Sequence, residues 1–345
     1  MLKEKKEMIG LSASRIKTLK SCTWLYYCKY ILKLPDVEND GSKKGWIAHV
    51  VFESLGNPRH KHHYTKIIKS GDVFSSEPIK RLIKKHCIKK SITDVDSINH
   101  IKDMILVGLE YDFFGKSIDN PTESHDEFKF DITNDDGDKR YRIVGFIDKL
   151  FLFKKKRLAL IRDFKSSKKM FKGNDIEDNI QAQIYQLAVK LLYPKYIKTK
   201  LEFAFLQFMK KGTTDGIQQV DQFDSDECEG FEYILTDLQK YVDTFNSTTA
   251  ISDMAARRPF PTGGEFGGPL MCGRGVKYRG EKKDDGSLKW HCPYRFPFEF
   301  YSVKDSVTKK VLRTYMLDKA DQISYDESKE ELYLEKYNGC PAWKK

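Results

Sequence analysis

No stretch of this chain approaches the roughly 20 consecutive apolar residues that a membrane span requires. Its opening, MLKEKKEMIGLSAS, has a charged start but neither an apolar segment nor a small-residue cleavage site, so neither a membrane anchor nor a secretory signal is expected. A disulfide framework is equally poorly supplied. The seven cysteines, at 22, 28, 87, 228, 272, 292 and 340, are odd in number and widely scattered, which fits a reducing compartment. The cytoplasm is the expected location. Internal repeats are absent as well.

What the chain does carry is core material. Over 345 residues, 40% are hydrophobic and 13% aromatic, enough for one large domain or two ordinary ones. A disordered chain does not supply that much apolar surface. Lys and Arg number 61 against 50 Asp and Glu, a net charge of +11. A basic, aromatic-rich chain most often meets polyanions, nucleic acid first among them. An evenly spread Lys-rich surface gives the same total, so charge alone leaves both alternatives open.

Residues 1–10 are polar and read as an arm. Apolar positions at helical spacing (Ile16, Leu19, Cys22, Leu25, Tyr26) predict a helix from Ser12 to Leu34, with Ser12 or Ser14 as N-cap and Pro35 as its end. A second amphipathic helix is expected over Lys44–Leu55, followed by a His/Lys-rich loop at 59–63. Two helices over 77–118 read as a helical insertion. Near Asp126 the period switches from 3.6 to 2. EFKFDI, YRIVGFIDKLFLF and RLALIRDFK then read as three consecutive antiparallel strands. A helix over 176–193, a strand over 201–209 and a helix over 227–245 follow. Residues 257–302 are rich in Gly, Pro and Cys, and 303–345 form an extension of no readable role.

Chemistry concentrates in the hairpin Tyr141–Lys165. A tight turn centred between Lys155 and Lys156 makes Asp148 and Asp163 cross-strand partners, with Cβ atoms about 5 Å apart. Like charges so placed repel, and a hard divalent ion such as Mg²⁺ or Mn²⁺ relieves the repulsion. Lys165, two residues past Asp163, shares its face, where an ammonium can hold an attacking water or a scissile phosphate. Gly145 leaves room for a backbone or a nucleic acid to approach closely. An Asp-x-Lys or Glu-x-Lys triplet alone carries no weight, since Glu127-Phe128-Lys129 fits it too. Weight comes from Gly-x-x-Asp, the hairpin and Asp-x-Lys together.

Two helical pairs extend the set. His49 and Glu53 are four apart on one polar helix face. His49 can add an imidazole to the carboxylates, and Glu53 can orient a water. Gln181 and Tyr185 share a face of the helix after the hairpin, where they order the site or bind phosphate, unless Tyr185 is simply core.

In this order, Gly45-xxx-His49-xxx-Glu53, Gly145-xx-Asp148, Asp163-x-Lys165 and Gln181-xxx-Tyr185 resemble the RecB-like branch of the PD-(D/E)XK nuclease superfamily. The opening SASRIKTLKSCTWLYYCKY resembles the first helix of those proteins. The likeness covers roughly residues 11–210. It implies an α/β restriction-endonuclease-like fold: a mixed β-sheet flanked by helices, with the helical insertion, inside a nuclease domain over 11–302. It also implies His49, Asp148 and Asp163 as metal ligands and Lys165 as the catalytic lysine, supported by Glu53, Gln181 and Tyr185. The expected reaction is Mg²⁺- or Mn²⁺-dependent hydrolysis of DNA phosphodiesters. By analogy with relatives in recombination, repair and CRISPR adaptation, an exonuclease acting on DNA ends is expected. A structure-selective endonuclease and an inactive nucleic-acid-binding subunit are the alternatives. DNA is the implied partner, with room for a protein partner in a recombination or replication complex. Arg59, Lys61, Lys66, Lys168 and Lys169 are expected to meet its phosphates.

Several members of that branch carry an iron–sulfur cluster. Cys22 stands where their first ligand stands, and Cys272 and Cys292 follow the nuclease core. The compact C-terminal triplet is missing, so the fourth ligand falls to Cys28, His291 or Cys340. Four thiolates suit [4Fe–4S], and a mixed Cys/His set suits Zn²⁺. Alternatively, Cys22 is a small buried hydrophobe.

Overall fold

A computed structural model describes residues 8–36, 38, 40–173, 176, 178–257 and 291–343. Along the chain come helices α1 (Ala13–Ser21), α2 (Thr23–Tyr26), α3 (Asp40–Gly56), α4 (Lys61–Ser70), α5 (Glu77–Lys89) and α6 (Val95–Glu110). Strands β1 (Glu123–Asp136), β2 (Lys139–Phe153) and β3 (Leu158–Lys165), helix α7 (Ile180–Leu192), and strands β4 (Lys198–Phe205) and β5 (Ile217–Val220) follow. Helices α8 (Ser225–Asp243) and α9 (Ser247–Ser252) and strands β6 (Phe298–Asp305), β7 (Val311–Met316) and β8 (Glu330–Tyr337) complete the order. No helix among the described residues is long and apolar enough to cross a membrane. Two compact units result: Met1–Ser12 with Glu38–Gln239, and Ala13–Val37 with Lys240–Lys345.

The first unit is built on a mixed sheet in the order β1-β2-β3-β4-β5. β3 and β4 run parallel, as the intervening helix α7 requires, and the other neighbours are antiparallel. Strand β3 is buried along nearly its whole length, the charged Arg162 and Asp163 included. Helices α3 to α6 share one core with Phe164, Ala204, Leu206 and Met209 of the sheet side. The expected mixed α/β architecture is therefore present.

Charge shapes this sheet as much as apolar packing does. One row across four strands reads Asp126, Lys149, Arg162, Glu202, each residue the register partner of the next. Lys149 and Arg162 are each 1% exposed. Lys149 pairs with Asp126 and lies 3.6 Å from the centre of the Phe113 ring. Arg162 lies 3.0 Å from Glu202 and donates to the Asp112 carbonyl at 2.7 Å. Burial pushes the Lys149 pKa down, and the Asp126 charge opposes that shift. Each cation sits beside its own anion, so the row closes electrically.

Three sequence expectations change in the structure. The helix expected over Ser12–Leu34 is interrupted: Cys22 is extended (φ −162, ψ 120) and residues Tyr27–Ile31 form a π-turn. The His/Lys-rich loop at 59–63 is instead a 3₁₀ turn, Pro58–His60, running into α4. Tyr64, Ile67 and Ile68 pack into the core there, and Gly71 (φ 67) closes the helix. The run of polar and cationic residues hid that spacing. In the second unit, β6, β7 and β8 form an antiparallel sheet in the order β7-β6-β8 from residues that showed no readable pattern.

Because Arg162 neutralises Glu202 inside the sheet, Arg162→Met should leave a buried carboxylate uncompensated. The expected loss is about 3–5 kcal/mol, read from urea unfolding. Wild-type stability in that variant would mean the row does not hold the strands together.

Candidate functional site

The β2–β3 ladder runs from Phe153 opposite Leu158 to Lys149 opposite Arg162. That is the register the turn at Lys155 and Lys156 predicts. The ladder ends there; beyond it, Asp148 Oδ2 accepts the Phe164 N–H at 2.7 Å, and Asp163 is near enough for its charge to act on Asp148. On the other side of β2, Asp126 pairs with Lys149 and Phe128 with Ile147, which sets Glu127 opposite Asp148. Glu127 has φ +48, a left-handed backbone uncommon for a side-chain-bearing residue. Three carboxylates thus line up across three strands, on the face opposite the Lys149–Arg162 row.

Helix α3 lays His49 over that line. Its buried face (Ile47, Ala48, Val51, Phe52, Leu55) packs into the core, leaving His49 on the opposite stripe. His49 Nδ1 lies 3.3 Å from Asp148 Oδ1 and 3.7 Å from Glu127 Oε1, and Nε2 lies 3.1 Å from the Phe164 carbonyl oxygen. Gly45 permits the close approach: a Cβ there would stand 2.9 Å from Ser166 Cβ and collide with its Oγ. Burial pulls the His49 pKa down, but the charges and hydrogen bonds of Asp148 and Glu127 win and hold it well above the usual imidazole value. Burial and the Asp163 charge raise the Asp148 pKa, against the pull of His49 and the Phe164 N–H.

Past Asp163, one network orders the rest. Lys165 Nζ is 2.7 Å from Asp163 Oδ2 and donates to Gln181 Oε1 at 2.6 Å. Gln181 Nε2 donates to Asp163 Oδ1 at 2.6 Å and to the Tyr185 hydroxyl at 2.7 Å, and that hydroxyl donates to the Phe146 carbonyl at 2.5 Å. The N-cap Asn179, whose side chain accepts from the N–H groups of Gln181 and Ala182, starts α7 at the right place for this. Burial and the charges of Asp163 and Asp148 push the Tyr185 pKa well up, so the phenol stays protonated. Tyr185 is accordingly both core and support.

The remaining expectations divide. Glu53 is exposed and lines a cavity with His49 and Glu127. Gly145 makes room for Phe130 of its own chain, its register partner, rather than for a nucleic acid. A Cβ at Gly145 would stand 2.5 Å from Phe130 Cζ, and the Phe130 ring packs edge-on against Tyr185. Lys61 lines a larger cavity of about 790 Å³ beside Glu53 and Glu127, whereas Arg59, Lys66, Lys168 and Lys169 are exposed. Glu127 is the residue that sequence reasoning misses. Its signal is nonetheless in the chain, since a turn centred between Gly137 and Asp138 makes Glu127 the partner of Asp148.

In the second unit, Cys22, Cys28, Cys292 and Cys340 are all buried in one apolar cluster with Trp24, Tyr294 and Tyr337. Burial pushes the Cys28 thiol up, and the other three thiols are near enough to raise it further by charge. The Tyr337 hydroxyl accepts from Trp24 Nε1 at 2.8 Å and lies 3.5 Å from Cys28 Sγ. Cys272 lies outside the described residues.

His49, Glu127 and Asp148 each offer a ligand atom, all within 4.8 Å of one another. Hard oxygen donors with one imidazole fit a divalent ion of the Mg²⁺ or Mn²⁺ kind, and a cation there relieves repulsion along the carboxylate line. Ligation requires His49 to shed the proton that the neighbouring carboxylates favour. Mn²⁺ affinity should therefore rise with pH through the His49 value, with proton release on binding. Calorimetric titration in two buffers of different ionisation heat reads this. Affinity independent of pH, with no proton released, would exclude His49 as a ligand.

The sequence profile of the PD-(D/E)XK nuclease superfamily matches residues 10–266. No curated protein matches the chain significantly. The profile covers the five-stranded sheet together with every residue of the carboxylate, histidine and lysine set. On that coverage, the chain belongs to the PD-(D/E)XK nuclease superfamily, whose members are metal-dependent nucleases.

Proposed function

We propose that this chain is a divalent-metal-dependent deoxyribonuclease of the RecB-like branch, an exonuclease that processes DNA ends in recombination or repair. The observation that carries the reading is the Lys165 ammonium, held between Asp163 and Gln181 at 2.7 and 2.6 Å, next to the His49–Asp148–Glu127 group. Binding alone has no use for three carboxylates in a line. His49, Asp148 and Asp163 are the proposed ligands, and Glu127 joins them. When bound there, Mg²⁺ or Mn²⁺ supplies Lewis-acid activation of water and neutralises charge on the phosphate.

The chain's own groups do the rest. Lys165 is oriented so that its charge can meet the oxygens of the scissile phosphate as negative charge builds on them. Gln181 fixes both Lys165 and Asp163, and Tyr185 fixes Gln181. Glu53, one helical turn past His49, orients the incoming water. Arg59, Lys61, Lys66, Lys168 and Lys169 contact flanking phosphates, a kind of contact that makes binding salt-dependent.

End-labelled linear DNA should be degraded progressively in Mg²⁺ or Mn²⁺, and covalently closed circular DNA left intact. Asp163→Ala should lower the rate by about a hundredfold to a thousandfold while DNA binding is kept or tightened, because one negative charge is gone. Efficient nicking of the closed circle would instead make the protein an endonuclease. Unchanged cleavage by Asp163→Ala would remove the site assignment altogether.

We further propose that Cys22 and Cys292 belong to a thiolate-bound [4Fe–4S] or Zn²⁺ centre, completed from Cys28, Cys340 and Cys272. The four described thiols gathered in one buried cluster support this, since burial raises the cost of a thiolate that no cation compensates. Anaerobically purified protein should hold iron with absorbance near 400 nm, or about one equivalent of zinc. Cys22→Ser should lose the metal while Cys87→Ser keeps it. Protein with neither metal would leave these cysteines as core residues.

A further inference from the structure

Trp46 stands one helical turn before His49 on α3 and is 40% exposed. A single exposed apolar side chain is ordinary, but two features set this one apart. First, its ring is braced. The Lys90 ammonium lies 4.7 Å from the ring centre and is itself held by Glu38 at 2.7 and 2.8 Å. The His86 ring meets the indole edge-on at 4.9 Å and 78°. Second, the rest of the indole opens into a cavity of about 380 Å³ whose other walls include His49, Glu53, Glu127 and Ser166. An aromatic surface held rigid costs little further entropy when a ligand stacks on it.

A depression of that size has room for about one nucleotide beside the centre. Bases within a duplex are stacked and paired and offer no free face, whereas any unpaired base can lie flat on an indole whatever its identity. We infer that Trp46 is the stacking platform for an unpaired base beside the scissile phosphate, so that the strand reaches the centre single-stranded. The inference rests on the nuclease reading of the same site and adds the residue that holds the strand there. Trp46 is a positioning and specificity residue here, since the proton and phosphate chemistry belongs to the groups beside it.

The test is a binding measurement with cleavage switched off. A labelled oligo-dT strand and a blunt duplex of equal length are titrated against the full chain in EDTA, followed by anisotropy and by tryptophan emission. Trp46→Leu should weaken oligo-dT binding by about tenfold or more, leave duplex binding within about twofold, and remove the part of the emission quenched by oligo-dT. Trp46→Phe, which keeps an aromatic face, should retain most of the single-strand affinity. Wild-type oligo-dT affinity in Trp46→Leu, or an equal loss for strand and duplex, overturns the proposal. If the leucine variant melts early, Trp46→Phe decides instead: its emission must lose the oligo-dT quenching while the affinity stays. Protein that cuts nothing in either metal would sink the nuclease reading, yet these binding ratios would still decide the role of Trp46.

Discussion

The register of β2 against β3 is the constraint on which the site depends. It places two adjacent rows of charged residues on opposite faces of one sheet. Asp126, Lys149, Arg162 and Glu202 form the buried row, in which every cation has an anion beside it. Glu127, Asp148 and Asp163 form the other, in which three anions stand side by side. Because side chains alternate along a strand, a slip of one residue would exchange the faces. The buried row resists such a slip, since it would lose its ion pairs in a low-dielectric interior. Holding the balanced row in place holds the unbalanced one together.

An unbalanced row is a site only if something cationic can reach it, and the flanking helices supply that access in different ways. From α3 comes a histidine, brought close by the missing side chain of Gly45 against Ser166. From α7 comes no charge at all. Its Gln181 instead locks Lys165 against Asp163, and Tyr185 locks Gln181 to the backbone of β2. Gly145 contributes indirectly, admitting the Phe130 ring that backs Tyr185. His49 and Tyr185 are thus tied to β2 through Asp148 and the Phe146 carbonyl, and Gln181 to β3 through Asp163 and Lys165.

Much of this arrangement is legible in the order of residues. Period-2 patterning identifies the three strands, and the Lys-rich turn sets the β2–β3 register, because a hairpin's turn dictates which residues pair. His49, Asp148, Asp163, Lys165, Gln181 and Tyr185 are all reachable by that route or by helical spacing. Glu127 is equally reachable from the Gly137 turn, but its triplet, Glu-x-Lys, is too common to mean anything by itself. Helix α4 escapes for the opposite reason: a run of His and Lys masks the spacing of Tyr64, Ile67 and Ile68. Strands β6 to β8 escape because mixed charge and exposed apolar residues blur alternation on a sheet with a wet face.

Local sequence therefore determined what depends on neighbours along the chain: strand phase, turn position, helix caps and the pairing those impose. Tertiary structure alone decided what depends on segments far apart. The approach of His49 to Asp148 and the rigid seat of Trp46 on Lys90 and His86 are of that kind. So is the gathering of Cys22 and Cys28 with Cys292 and Cys340, which are separated from them by most of the chain. The physical reason is that periodicity records which face of an element is buried, but not which other element buries it.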